Sequence, residues 1–265
     1  MKKKILGALG VVFGIICCYF LLGIFGNPVS KHMVTTNAKE YIQSKWPDEN
    51  YDIESVQYDF KTSNYYVSVK APDSVDNCFT LYGGLNGEIT FDTYDTAVVK
   101  KWNTANRINE EYGKSVDKAF DNGKFKYSSD IAFGEIEFAD SDYADEVPDY
   151  AIYTDTLVLD ADYDTYDMGK KAGCLTIYVY DNNVSAEKLA EILLDIKEYM
   201  DEEKVGFRGI NCILQPPKNE DGIQESENRV EVMRFLYEDI YADGLVDRVK
   251  VANEKAQEYY ENMSK

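Results

Sequence analysis

Three consecutive lysines, Lys2, Lys3 and Lys4, precede an uncharged and overwhelmingly apolar run over residues 5–26, and no other feature narrows the possible architectures as much. At about 1.5 Å of rise per residue the run makes roughly 33 Å of helix, enough for a hydrocarbon core of about 30 Å. A secretory leader has a shorter apolar centre, about 7–15 residues. The lysines are expected to stay in the cytoplasm, which places the rest of the chain outside. Residues 1–30 are therefore expected to form a cytoplasmic end and a transmembrane anchor, with contact to the cell membrane through residues 5–26.

Two processing routes fit poorly. A lipobox needs a small residue before the modified cysteine, whereas Cys17 follows Ile16 and Cys18 follows Cys17. Signal peptidase would have to accept Ile24-Phe25-Gly26 ahead of Asn27-Pro28, which departs from the small-x-small pattern.

Charge then narrows the partners. The chain has 28 Lys+Arg against 48 Asp+Glu, a net charge of −20, and the three leading lysines mask part of that excess. Such a surface repels nucleic acid and anionic headgroups, and it favours cations or simple solubility. With 22 Tyr and 12 Phe the chain can still build a core, which a disordered acidic tail cannot. Outside the anchor, Cys78, Cys174 and Cys212 each sit in a strand-like apolar run, and their odd number argues against a disulfide framework. They are expected to be packed thiols. If any pair is oxidised, it is Cys174 with Cys212.

Periodicity predicts a helix at 36–46 ended by Pro47, then strands at 51–58, 65–70, 78–82 and 88–91. Gly83-Gly84 and Gly87 supply the hairpin between the last two. A long helix is expected at 96–121, where Val98, Trp102, Ala105, Ile108, Tyr112 and Val116 recur at helical spacing, with Asn122-Gly123 as its stop. Further strands are expected at 131–138, 154–159, 173–180, 209–214 and 229–237. Helices are expected after Ser185 and over 243–263. The fold class is α+β: a transmembrane helix, a helix-plus-antiparallel-meander module at 31–122, and an α+β sandwich at 123–265 with helices on one face of an antiparallel sheet.

Gly26-Asn27-Pro28-Val29-Ser30-Lys31, then Ala38-Lys39-Glu40-Tyr41-Ile42 leading into Trp46-Pro47-Asp48, the aromatic strands, and Asn103-Thr104-Ala105-Asn106-Arg107-Ile108 before Glu111-Tyr112 resemble the front half of the YfjL-like proteins. The resemblance covers about residues 1–120 and implies a small membrane-anchored protein of Gram-positive bacteria, without implying an activity. Asn86-Gly87-Glu88-Ile89-Thr90-Phe91-Asp92 is also similar to PepSY-like modules of propeptides and envelope regulators. In those modules the turn follows the last strand, whereas here it precedes it, and neither likeness carries a functional residue onto this chain.

The residues for familiar chemistries are sparse. Nucleophilic catalysis usually takes a histidine base, and the single histidine, His32, lies just past the apolar run. Ser185-Ala186-Glu187-Lys188 reads as a helix cap rather than a serine–lysine pair. One histidine and scattered cysteines offer no zinc set. Asp160-Ala161-Asp162-Tyr163-Asp164 opens like a calcium loop, but the sixth position is Thr165 and the twelfth Lys171, which breaks the EF-hand pattern. Asp160, Asp162 and Asp164 are thus the residues that could meet a Ca2+ ion, in an acidic stretch at 140–167 that otherwise reads as a solvated, tyrosine-punctuated loop. Two functions follow as expectations: a non-enzymatic extracytoplasmic module that binds another envelope protein or ligand, or an exported hydrolase working through paired carboxylates.

Overall fold

The computed structural model describes residues 24, 26–142, 147–224 and 228–263. The expected anchor at 5–26 falls almost wholly outside them, and among the described residues no helix is long and apolar enough to cross a membrane. The chain divides into two compact α+β units. One runs to Thr104 and adds Val158–Asp160, and the other comprises Ala105–Leu157 and Ala161–Lys265. The boundary expected at residues 122–123 lies inside the second.

The first unit opens with α1 (Pro28–Lys45), which begins well before residue 36. Asn27 and Pro28 start the helix rather than separate it from the apolar run. The Asn27 side chain accepts from the Val29 N–H at 2.9 Å, and Pro28 occupies a first-turn position where its missing N–H costs nothing. One residue per turn, Ser30, Val34, Ala38 and Ile42, is buried. Beneath it runs an antiparallel meander of β1 (Asp52–Asp59), β2 (Asn64–Lys70), β3 (Cys78–Gly83) and β4 (Ile89–Asp92), paired in chain order. Alternation puts Tyr65, Val67, Val69, Phe79 and Leu81 into the core with α1. Gly83 leaves room for the helix, since a methyl group there would stand 2.7 Å from Val34 Cγ1. The Tyr65 hydroxyl accepts from the Asn27 N–H at 2.8 Å and donates to the Asn27 carbonyl at 2.9 Å, tying the helix start to an interior strand.

The single helix expected at 96–121 is interrupted. A π-helical turn covers Asp95–Val99, Lys101 takes a left-handed φ of 58°, and α2 restarts at Trp102–Asp121. Val98 packs in the core of the first unit, whereas Ala105, Ile108, Tyr112 and Val116 are buried in the second. One continuous stripe cannot serve two cores.

In the second unit β5 (Ala132–Ile136), β8 (Gly173–Tyr180), β9 (Gly209–Gln215) and β10 (Val230–Leu236) form a sheet in the order β10-β9-β8-β5. Two short strands, β6 (Phe138–Ala139) and β7 (Ile152–Tyr153), pair separately. The sheet is mixed, not antiparallel, because α4 (Ala186–Glu202) carries the chain from β8 back to a parallel β9. No strand forms at 154–159. A 3-10 turn at Thr154–Thr156 takes its place, with the Thr156 hydroxyl donating to the Tyr153 carbonyl at 2.6 Å. The acidic stretch also contains a helix that its composition hid, α3 (Thr165–Ala172), buried through Met168, Gly169 and Ala172. Closing the unit, α5 (Leu245–Met263) packs on β10 and α4.

Val158–Asp160 joins the first unit through a reciprocal pair of carboxylates. Asp160 Oδ1 accepts from Ser74 Oγ at 2.9 Å and from the N–H groups of Val75 and Asp76 at 2.8 and 2.9 Å. In return Asp76, which is 1% exposed, accepts from the Asp160 N–H at 2.9 Å and the Thr104 hydroxyl at 2.8 Å. Asp160→Ala should therefore strip three donors of their acceptor and destabilise the first unit by about 1–2 kcal/mol. Asp160→Asn should cost less, because asparagine tolerates the φ of 61° and keeps an acceptor oxygen. Urea unfolding with hydrogen exchange at Val75 and Asp76 checks this; unchanged protection of those two amides in Asp160→Ala would refute it.

Candidate functional site

An open groove of about 1010 Å³ lies in the second unit, between β10 and α5. Its floor is the end of β10, from Met233 to Leu236. Here the pairing with β9 slips between Val232 and Phe235, and Arg234 adopts a left-handed φ of 48°. Asn211 on β9 fixes the bulge. Its carbonyl oxygen accepts from the Arg234 N–H at 2.7 Å, while its amide donates to Thr176 Oγ1 at 3.0 Å. Met233 is left 44% exposed in consequence.

The opposite wall is one flank of α5. Arg248, Val251, Ala252, Lys255 and Tyr259 follow one another at helical spacing, with Val251 and Tyr259 half-exposed or more. At one end Arg248 donates to the carbonyls of Asp239, Tyr241 and Asp243 and stacks 3.7 Å above the Tyr241 ring. Lys197 donates to the Tyr237 and Ile240 carbonyls at 3.0 and 2.7 Å, and desolvation holds its pKa below the ordinary lysine range. These two cations close the turn after β10, so the end wall of the groove is braced by side chains instead of left as a mobile loop.

The wall also seals a carboxylate. Glu231 is 1% exposed, accepts from Gln257 Nε2 at 3.1 Å and pairs with Arg229 at 3.1 Å; its backbone N–H donates to Asn253 Oδ1 at 2.9 Å. Burial pushes its pKa upward, and the Arg229 pairing offsets only part of that. It faces α5 and not an opening where a substrate could lie.

Two of the three carboxylates singled out for calcium have separate structural duties. Asp160 holds the Ser74–Asp76 turn. Asp164 caps α3 by accepting from the N–H groups of Tyr166 and Asp167. Asp162 has no such assignment. Among the described residues no group of three or more His, Cys, Asp or Glu is placed to hold a metal ion. His32 is exposed on α1, and Ser185 caps α4 by accepting from the Lys188 N–H. Cys174 and Cys212 are free, buried thiols, raised by burial to about 11 and about 12. They do not face each other: Cys174 pairs with Gly209 and Cys212 with Ile177, which separates them by roughly 10 Å along the strands. Cys78 is only half-buried, under the Asn103 amide.

The groove escaped the sequence reading because β10 read as a plain strand over 229–237. Its determinant, Asn211, lies on another strand.

Glu231 gives a pH signature. With its native pKa raised, its stabilising contribution is present in acid, below the unfolded pKa of about 4.3, and is lost as pH rises through the native value. Glu231→Gln should be at least as stable as the parent near neutral pH and should gain less on acidification toward about pH 4.5. Thermal melts across that range provide the check, and a strongly destabilised Glu231→Gln at neutral pH would show that the Arg229 pair outweighs burial.

Among protein-family models, the YfjL-like N-terminal domain matches residues 1–93 and the YfjL-like C-terminal domain matches residues 111–250. No curated protein and no solved structure matches the chain.

Proposed function

Since the chain belongs to the YfjL-like family through both of that family's domains, we propose that it is a non-enzymatic binding or regulatory module of the cell envelope, held at the membrane by residues 5–26 with both units outside. The observation that carries the reading is the groove. It is open, largely apolar and braced at one end, where Lys197 and Arg248 are engaged with main-chain carbonyls rather than poised for acid–base work. A carboxylate-dependent hydrolase would need an accessible acid of raised pKa near a second carboxylate. Glu231, a carboxyl whose pKa burial raises, is sealed under α5.

The test is turnover. Full-length protein offered a panel of peptide, ester and glycan substrates should show none above background, and hydrolysis abolished by one carboxylate-to-amide change would replace this reading with the hydrolase.

Localisation is tested separately. The chain should stay in the membrane fraction through a high-salt wash, with the end at Lys265 reachable by protease added to intact spheroplasts. Recovery from the medium of a chain beginning near Asn27, or protection of Lys265, would overturn the topology.

A further inference from the structure

Resting on the binding reading above, we propose that the groove takes an extended peptide segment of a partner protein, apolar and acidic in alternation, which lies along the outer edge of β10 as an added strand. Three observations point to that occupant. First, β10 is an edge strand with part of its main chain turned to the groove. The Tyr237 N–H donates to the Arg208 carbonyl at 2.9 Å, so antiparallel alternation turns the N–H and C=O of its neighbour Leu236 away from β9. At Glu231 the outward N–H is already covered by Asn253, which leaves the Leu236 end as the open stretch. An added strand uses such groups directly, with alternate side chains filling the adjoining pocket.

Second, the exposed apolar groups stand where those alternate side chains would fall. Met233 on the floor and Val251 and Tyr259 on the helix wall are each 44% exposed or more. Third, the groove does not share the acidity of the molecule. The whole chain carries 28 bases to 48 acids, whereas the groove is lined by Arg234, which pairs with Glu137 at 3.2 Å, and by Arg248 and Lys255 against Asp239 and Asp247. Arg248 spends its donors on neutral carbonyls, and Lys255 makes no ion pair among the described residues, so two positive charges there lack a carboxylate partner. Acidic side chains on the outer face of a bound strand would supply one. A second copy of this acidic chain would be opposed by long-range repulsion, which favours a different protein as the source of the segment.

The experiment uses full-length protein in nanodiscs, since detergent would compete for an apolar groove. The probe is a fluorescein-labelled peptide alternating valine with glutamate, followed by anisotropy. Binding is expected, and it should weaken about tenfold on each of three changes: methylation of alternate peptide nitrogens, which removes the strand hydrogen bonds; lysine in place of glutamate in the peptide; and Val251→Glu or Met233→Glu in the protein. Both protein positions are solvent-exposed, and unchanged melting temperatures would confirm that the variants fold. Absence of binding at millimolar peptide, or affinity indifferent to N-methylation and to both variants, would overturn the proposal. So would a fluorescent fatty acid binding the parent but not Val251→Glu while the peptide fails to bind, or self-association in sedimentation that Met233→Glu abolishes. A peptide that is bound and then cleaved would overturn the non-enzymatic reading while leaving the groove's preference in place.

Discussion

The second unit is organised around one phenol ring. Tyr112 is 1% exposed, and its hydroxyl donates to the Gly206 carbonyl at 2.9 Å in the interior. The ring fits because three neighbours have no side chain. A methyl group at Gly134 on β5 would stand 2.9 Å from it, one at Gly169 on α3 2.7 Å from it, and one at Gly173, which opens β8, 2.7 Å from its oxygen. The same glycines let α3 close on the loop before β9, where a methyl at Gly169 would meet the Gly206 carbonyl at 2.2 Å. The positions of α2, α3, β5 and β8 are thus set by a single well-filled volume, and interiors packed this densely do not absorb an added methyl without moving an element.

The β10 edge of that sheet is partly protected. On β10 a bulge set by Asn211 interrupts regular pairing and Asn253 covers the outward N–H of Glu231, which are means by which proteins keep an exposed edge from indiscriminate association. Partial protection has a second effect: it confines what remains of the edge to a short stretch beside a helix wall, so anything added there must satisfy both the strand and the helix.

The first unit was largely legible in the sequence, because one face of its sheet is buried and the alternation of Tyr65, Val67, Val69, Phe79 and Leu81 is a two-residue period that admits one register. The start of α1 is marked in the sequence only by Asn27-Pro28, a cap with a first-turn proline ahead of a stretch that lacks a clear apolar stripe. Parallel pairing of β8 and β9 was implied by the helix between them. The interruption at Lys100–Lys101 has no glycine or proline to mark it, since it arises where a helical stripe must change cores. The same limit hid α3, whose aspartates suggested ion ligands when one of them was a cap, and the groove, whose shape depends on a contact between Asn211 and Arg234 that no local window contains.

The paired hydrogen bonds between Asn27 and Tyr65 also bear on how tension would enter the molecule. Any pull transmitted along the chain from before residue 26 meets the first unit at Asn27, and from there passes directly to Tyr65 on β2, a strand flanked by β1 and β3. Load delivered to an interior strand is shared by the ladders on both of its sides. An edge attachment would instead let the sheet be peeled one bond at a time. The clasp therefore makes the place where the chain enters this unit a mechanically strong part of the meander.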